Sequence, residues 1–220
     1  MFMIQPPATR HLPLATVFVV DDDTSFLAAV SRLLRAAGFD VRTFPSAKDF
    51  LDALPPAAQG CVIADLKMPG LSGLDLQNTL SKGDNPMPVV FLTGHGDIPT
   101  SVKAMRHGAE DFLTKRAPKE ALLDAVKRAL ARDAQAREER ERRRESRARF
   151  EALTPREREV LAHVLQGKLN KQTAFDLRIT DRTVKIHRRS LLKKLRVQSV
   201  TELTRVVQEA GIFKNGQLEL

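Results

Sequence analysis

The chain has 220 residues, 42% of them hydrophobic and 29% charged, a balance that supports one large folded domain or two modest ones. Its single cysteine, Cys61, excludes an internal disulfide, and no apolar run reaches the length of a membrane span, since LPLATVFVV is stopped by Asp21, Asp22 and Asp23. The net charge of +9 is uneven, at −1 over residues 1–118, +4 over 119–150 and +6 over 151–220, which points to a C-terminal part that binds nucleic acid.

The N-terminal apolar run lies behind prolines and lacks a small-residue cleavage site, so it is not read as a signal peptide, and a cytoplasmic protein is expected. Tyrosine and tryptophan are absent. Readers of single strands use exposed aromatic platforms for base stacking, so double-stranded DNA is the expected partner.

The first strand is expected at 16–20, followed by a helix with Phe26, Val30, Leu33 and Ala37 on one face and Gly38 at its C-terminal cap. FDVRTF (39–44) reads as a strand and SAKDFLDAL (46–54) as a helix. CVIA (61–64) is a short buried strand ending at Asp65. After LKMPGLSG a helix is expected over 74–81, then a strand over 89–92 ending at Thr93, a helix over 98–107 closed by Gly108, and DFLT (111–114) ending at Lys115. The next helix starts near Pro118. Strands alternating with helices in this way predict an α/β doubly wound, five-stranded parallel sheet. Ligands of such sheets gather outside the carboxyl ends of the strands, where Asp21, Asp22, Asp65, Thr93 and Lys115 all fall.

The helix from Pro118 carries an apolar face through Leu122, Val126 and Ala129, then continues into the charged stretch REERERRRESRAR. Glu138–Arg142, Glu139–Arg143 and Glu145–Arg149 have the spacing that supports a solvated helix, and no apolar seam continues to make a coiled coil. Four short helices follow. Thr154, Pro155 and Glu157 form a capping box ahead of Val160, Leu161, Val164 and Leu165, which end at Gly167. A second helix starts near Asn170 with Ala174 and Leu177 inward, a third follows Thr180, and a fourth follows Ser199 with Glu202 as box partner. The expected organisation is an extension over 1–14, an α/β domain over 15–130, a charged helical linker over 131–150 and a small all-α domain over 151–220.

Two chemistries could want three carboxylates behind an apolar strand. The D-x-D pattern matches haloacid dehalogenases, with Asp21 as nucleophile and Asp23 as acid, but the late strands supply no acidic pair to hold the metal. The second is a phosphoacceptor pocket. Asp21, Asp22 and Asp65 repel one another unless a hard divalent cation such as Mg²⁺ sits among them, an aspartate can form an acyl phosphate, a lysine neutralises the added charge and a hydroxyl bonds a phosphoryl oxygen. Through VVDDD, DLKMPG-LSG, FLTGHGD and DFLTK in order, residues 15–130 resemble the receiver domain of two-component response regulators.

That resemblance implies that Asp65 is the phosphoacceptor and that a histidine kinase is the donor. It also implies that Asp22, Asp65 and the backbone carbonyl of Lys67 ligate Mg²⁺, with Asp21 acting through water. Thr93 would bond the phosphoryl group, Lys115 would pair with it, and Phe112 would be the switch aromatic. Asp23 is left as a bystander or helix cap, and Cys61 as core. The family usually has Lys-Pro in a cis peptide after the fifth strand, whereas this chain has Lys115–Arg116. A trans bond is expected here, which re-aims Lys115 and brings Arg116 near the pocket as a second cation.

Over 181–196 one helix face gathers Arg182, Lys185, Ile186, Arg189, Lys193 and Arg196, with Val184, Leu191 and Leu195 opposite. A helix apolar behind and cationic in front is shaped for phosphates or a major groove. Residues 152–212 resemble the LuxR/FixJ-type helix-turn-helix through LTPREREVL, G-KLNKQTAFDL and TVKIHRRSLLKKL. The resemblance implies that Lys185, Ile186 and Arg189 enter the major groove, and that Thr183, Asn170, Lys171 and Arg188 contact phosphates. His187 is expected to pack at the flank. The fourth helix, with Leu203, Val206, Val207 and Ala210, resembles the family's dimer helix. The expected function is a non-enzymatic, phosphorylation-controlled transcriptional regulator that binds DNA as a homodimer when phosphorylated. A phosphorylation-independent DNA binder, and a switch whose helical domain docks a protein, are the alternatives.

Overall fold

A computed structural model of the chain describes residues 15–83, 85–94, 98–214 and 217–218. The expected extension over 1–14, and His95, Gly96 and Asp97 of the TGHGD motif, lie outside them. The described residues form two compact units, divided between Ala136 and Arg137. Among them no helix is long and apolar enough to cross a membrane.

The first unit alternates β1 (Thr16–Val20), α1 (Thr24–Ala36), β2 (Asp40–Phe44), α2 (Ala47–Ala53), β3 (Gly60–Ala64), α3 (Gly73–Lys82), β4 (Val89–Thr93), α4 (Ile98–Arg106) and β5 (Asp111–Thr114) before entering α5 (Lys119–Glu151). The strands pair in parallel in the order β2-β1-β3-β4-β5. β3 and β4 are buried at every residue, which is why they read as continuous apolar runs rather than alternating ones. One face of the sheet carries Phe18, Phe44 and Phe50, with Phe50 edge to face on the other two at centroid distances of 5.5 and 5.3 Å and Phe18 tilted against Phe44 at 6.4 Å. The other face buries Val17, Val19, Ile63, Val90 and Leu92 against α1 and the first turns of α5. Cys61 lies in this second core, and burial, with Asp133 and Glu110 nearby, pushes its thiol up to about 12.

The linker is helical, as its charge pattern predicts, since α5 runs unbroken through residues 131–150. It is not solvated throughout. Asp133 is buried, and its Oδ2 accepts the Gly60 N–H at 2.9 Å at the entrance to β3. Gly60 has φ +138°, and a Cβ there would stand 1.8 Å from the Thr16 carbonyl oxygen, so only glycine lets β1 and β3 meet at this point. Ser146 and Phe150 are also buried, Phe150 in the core of the second unit. On the exposed faces Glu139 pairs with Arg143 at 2.8 Å and Glu145 with Arg149 at 3.7 Å, whereas Arg142 turns to Glu139 rather than to the expected Glu138.

The second unit packs α6 (Pro155–Leu165), α7 (Asn170–Asp176), α8 (Asp181–Leu195) and α9 (Val200–Ala210) around Leu161, Leu191, Leu195 and Leu203. It is not purely α-helical. Phe213–Lys214 (β6) and Gln217–Leu218 (β7) pair antiparallel, a two-residue ladder too short to leave a period in the sequence. Leu203, Val206, Val207 and Ala210 are all buried in this unit's own core, so a dimer built on α9 would use its other faces.

The capping box at Thr154 and Glu157 holds more than a helix end. Glu157 Oε2 accepts from the Thr154 N–H at 2.8 Å and from Lys194 Nζ at 2.7 Å, while Oε1 accepts from the Ser190 hydroxyl at 2.6 Å. Burial alone would raise this carboxyl, but the bonds from Lys194, Ser190 and Thr154 outweigh it and hold it at about 2. A folded-state value below the ordinary 4.5 contributes stability that is complete above about pH 4.5 and is lost as pH falls toward 2. The shift is worth about 3 kcal/mol. Glu157→Gln should lower the stability of α6–α8 by about 2–3 kcal/mol at neutral pH and flatten that acid limb. Amide hydrogen exchange of the full chain across pH checks it, and unchanged protection of α6 and α8 would refute it.

Candidate functional site

The carboxyl ends of β1, β3, β4 and β5 place five polar side chains at one edge of the sheet. Asp21 follows β1 and is almost fully buried, Asp65 follows β3 and is buried, Thr93 is the buried last residue of β4, and Lys115 follows β5. Lys115 Nζ lies 2.6 Å from Asp21 Oδ2 and 3.0 Å from Asp65 Oδ2, bridging two carboxylates that would otherwise repel. Asp21 Oδ1 accepts the Asp23 N–H at 2.9 Å, and Asp65 Oδ1 accepts the Leu66 N–H at 2.6 Å.

Burial pushes the Asp21 carboxyl above the usual range against the pull of Lys115 and the Asp23 N–H. Lys115 would be lowered by its own desolvation, but bonds to Asp21 and Asp65 raise it, so it stays an ammonium. Asp22 stands beside them with its carboxylate exposed, and ligand atoms of Asp21, Asp22 and Asp65 all lie within 4.8 Å of one another. Three hard oxygen donors at this spacing fit a hard divalent cation.

The Lys115–Arg116 peptide is trans, as its sequence predicts, and Lys115 reaches Asp65 from it. Its N–H bonds the Thr93 carbonyl at 2.8 Å, which holds the residue in the β4–β5 ladder to the last position. Its ammonium stands 4.3 Å from the centroid of the Phe26 ring, a cation–π contact that backs it toward the carboxylates. Arg116 is exposed and makes no ion pair with a described residue. Phe112 is half-buried on β5, tilted against Phe91 with centroids 6.1 Å apart. Lys67 sits two residues past Asp65 with its side chain exposed and its N–H 3.5 Å from Asp65 Oδ1. Asp23 is the N-cap of α1, accepting from the Ser25 and Phe26 N–H groups.

In the second unit α8 divides as its periodicity predicts. Val184, Leu191 and Leu195 are buried, while Arg182, Lys185, Ile186, Arg189 and Lys193 are exposed, Ile186 at 60%. Lys185 pairs with Asp181 one turn back at 2.8 Å. Thr183 donates its N–H to the Thr180 hydroxyl at 3.1 Å and completes the helix cap. Arg188 Nη1 donates to Asn170 Oδ1 at 2.7 Å, joining α8 to the start of α7, and Lys171 is exposed beside it. His187 is half-buried at the flank.

Some contributors were not read from the sequence. Phe26, three residues after Asp23, reads in the sequence only as a member of the apolar face of its helix, and its contact with the Lys115 ammonium is set by the tertiary structure. Asp133 reads in the sequence only as part of a solvated helix. No local signal points from it to Gly60, 73 residues away.

Comparison with known proteins follows the same division. Residues 17–127 match the response regulator receiver domain, and residues 151–207 match the bacterial regulatory proteins of the luxR family. Response regulator protein TmoT of Ectopseudomonas mendocina is 45% identical over 88% of this chain and 88% of its own. Transcriptional regulatory protein FixJ of Bradyrhizobium diazoefficiens is 36% identical over 90% of this chain and 97% of its own. The solved structure of response regulator StyR superposes with a TM-score of 0.79 at 44% identity, covering 89% of this chain and 99% of that one. With both modules matched in order and whole relatives aligned along nearly their full length, the chain belongs to the two-component response regulators of the LuxR/FixJ-like type, transcriptional regulators that join a receiver domain to a LuxR-type DNA-binding domain.

Proposed function

We propose that this regulator takes a phosphoryl group from a histidine kinase onto Asp65 and thereby controls duplex DNA binding by its α8 face. The observation that carries the reading is the bridging of Asp21 and Asp65 by Lys115 at the carboxyl edge of the sheet. An Asp65 oxygen attacks phosphorus, the P–N bond of a phosphohistidine breaks, and an acyl phosphate forms. Asp22, Asp65 and the Lys67 carbonyl are the proposed holders of Mg²⁺, with Asp21 acting through water. When bound, the ion offsets negative charge on the phosphoryl oxygens. Lys115 pairs with the new phosphoryl oxygens, and the Thr93 hydroxyl bonds one of them. Phe112, half-buried beside Phe91, is placed to change rotamer as Thr93 moves.

On the DNA side, Lys185, Ile186 and Arg189 are assigned to base edges. Asn170, Lys171, Thr183 and Arg188 are assigned to phosphates. The Arg188–Asn170 bond supports that grouping, because it fixes one cation against the N-terminal end of α7. Dimers formed on phosphorylation would place two such helices on paired half-sites.

Asp65→Asn is expected to abolish phosphate incorporation from acetyl phosphate with Mg²⁺ while leaving the fold intact by circular dichroism. Equal labelling of wild type and variant would overturn the assignment. DNA binding that is the same with and without acetyl phosphate would instead favour a phosphorylation-independent binder.

For readout, Lys185→Ala and Arg189→Ala should each lower discrimination between specific and mixed-sequence duplexes by about 1–3 kcal/mol. Arg188→Ala should weaken all duplexes about equally and make the salt dependence shallower by about 0.9 in slope. Titrations at several salt concentrations separate the two classes, and identical behaviour would refute the division between base and phosphate contacts.

A further inference from the structure

Among the described residues, five helix ends close with the same pair of backbone bonds. After α1, α4 and α6 the N–H groups of Gly38, Gly108 and Gly167 bond the carbonyls of Arg35, Met105 and Val164, and the next residue's N–H bonds back five positions, to Leu34, Ala104 and His163. In each the closing residue is glycine with φ between +75° and +90°, which is the usual solution because the left-handed region brings Cβ against the following carbonyl. The same closure ends α7 and α8, where Ile179 N–H bonds the Ala174 carbonyl and Val197 N–H bonds the Leu192 carbonyl, both at 3.0 Å. There the closing residues are Arg178 (φ +53°) and Arg196 (φ +58°), and among the described residues they are the only non-glycines with positive φ.

The two arginines bracket α8. Arg178 stands two residues before its cap, Thr180, and Arg196 immediately follows Leu195. Both are exposed, and neither side chain makes an ion pair or hydrogen bond with a described residue. Of the neighbouring cations, Lys185 pairs with Asp181, Lys194 with Glu157 and Arg188 with Asn170, whereas Arg182, Arg189 and Lys193 on the exposed face make no ion pair with a described residue. A backbone position that disfavours any Cβ is thus held twice by a long cationic side chain that the fold itself does not use, at the two ends of the helix assigned to the groove. Strain kept without an internal contact points to an external one. A helix of 15 residues is about 22 Å long. The major groove is about 12 Å wide, so the ends of such a helix extend to the phosphate walls rather than to base edges.

We propose that Arg178 and Arg196 are phosphate-binding residues that clamp the two ends of α8 to the DNA backbone. The inference rests on the reading of this unit as a duplex DNA binder. It predicts opposite signs for stability and binding, which a merely structural role would not produce. In the full chain, Arg178→Gly/Arg196→Gly should relieve both left-handed positions and raise the melting temperature of the second unit by about 2–6 °C. The same variant should bind a mixed-sequence synthetic duplex severalfold more weakly, with a plot of log K against log salt shallower by about 1.8. Arg178→Lys/Arg196→Lys should keep most of the wild-type slope. Arg42→Gln/Lys48→Gln, which removes two exposed cations from the receiver, should leave the slope unchanged and so controls for net charge.

A wild-type salt slope in the double glycine variant overturns the proposal. So does a lowered melting temperature, which would mean that the fold uses these side chains, and so does an equal loss of slope in the receiver control. Absence of salt-dependent duplex binding by the wild-type chain would overturn the DNA reading itself, and this proposal with it.

Discussion

Like charges gathered in a space of 4.8 Å must be compensated, and in this protein the compensation organises the receiver. Asp21 and Asp65 are buried carboxylates at the ends of neighbouring strands, and the Lys115 ammonium reaches both. Isolated charges at that depth would be costly to desolvate, whereas a bridged set with backbone N–H donors is tolerable. Everything else at the edge serves the placement of these groups. The parallel register carries Val20 beside Ala64 and Thr93 beside Thr114, so that the next residue of each strand leaves the sheet at a similar level. The bond from the Lys115 N–H to the Thr93 carbonyl and the Phe26 ring behind the ammonium set where that cation can stand.

The pocket is therefore poised rather than neutral. One lysine offsets two buried carboxylates, and the exposed Asp22 adds a third negative charge, which leaves room for a further cation. The proposed phosphorylation of Asp65 would change this balance by adding negative charge at one of its oxygens, and the groups placed to respond are those already around it. Thr93 and Phe112 lie on the two strands that face the same edge, so a local electrostatic change has a short route to the outer surface of β4 and β5.

In the second unit a different carboxylate has the corresponding structural task. Glu157 begins as the partner in a capping box and ends as the junction between α6 and α8, with both oxygens engaged. That junction holds the back of α8 while its front remains exposed and cationic. The unit thus separates residues that make the fold, such as Leu191, Leu195 and Glu157, from residues that the fold does not need, such as Ile186 and Arg189.

Strand and helix positions, the caps at Thr154 and Ser199, the buried face of α8 and the convergence of five polar residues on one sheet edge were all legible in the chain. Each depends on a short contiguous window, and the parallel topology then brings window ends together without further information. Tertiary structure alone decided the bond from Asp133 to Gly60, the bonds from Ser190 and Lys194 to Glu157, and the contact of Phe26 with Lys115. These pairs are separated by tens of residues, and the choice of partner depends on how elements approach, which no local pattern encodes. Nor could the left-handed turns at Arg178 and Arg196 be read from residue type, since arginine carries no preference for them. They follow from the closing bonds that the packed helices impose on whatever residue stands there.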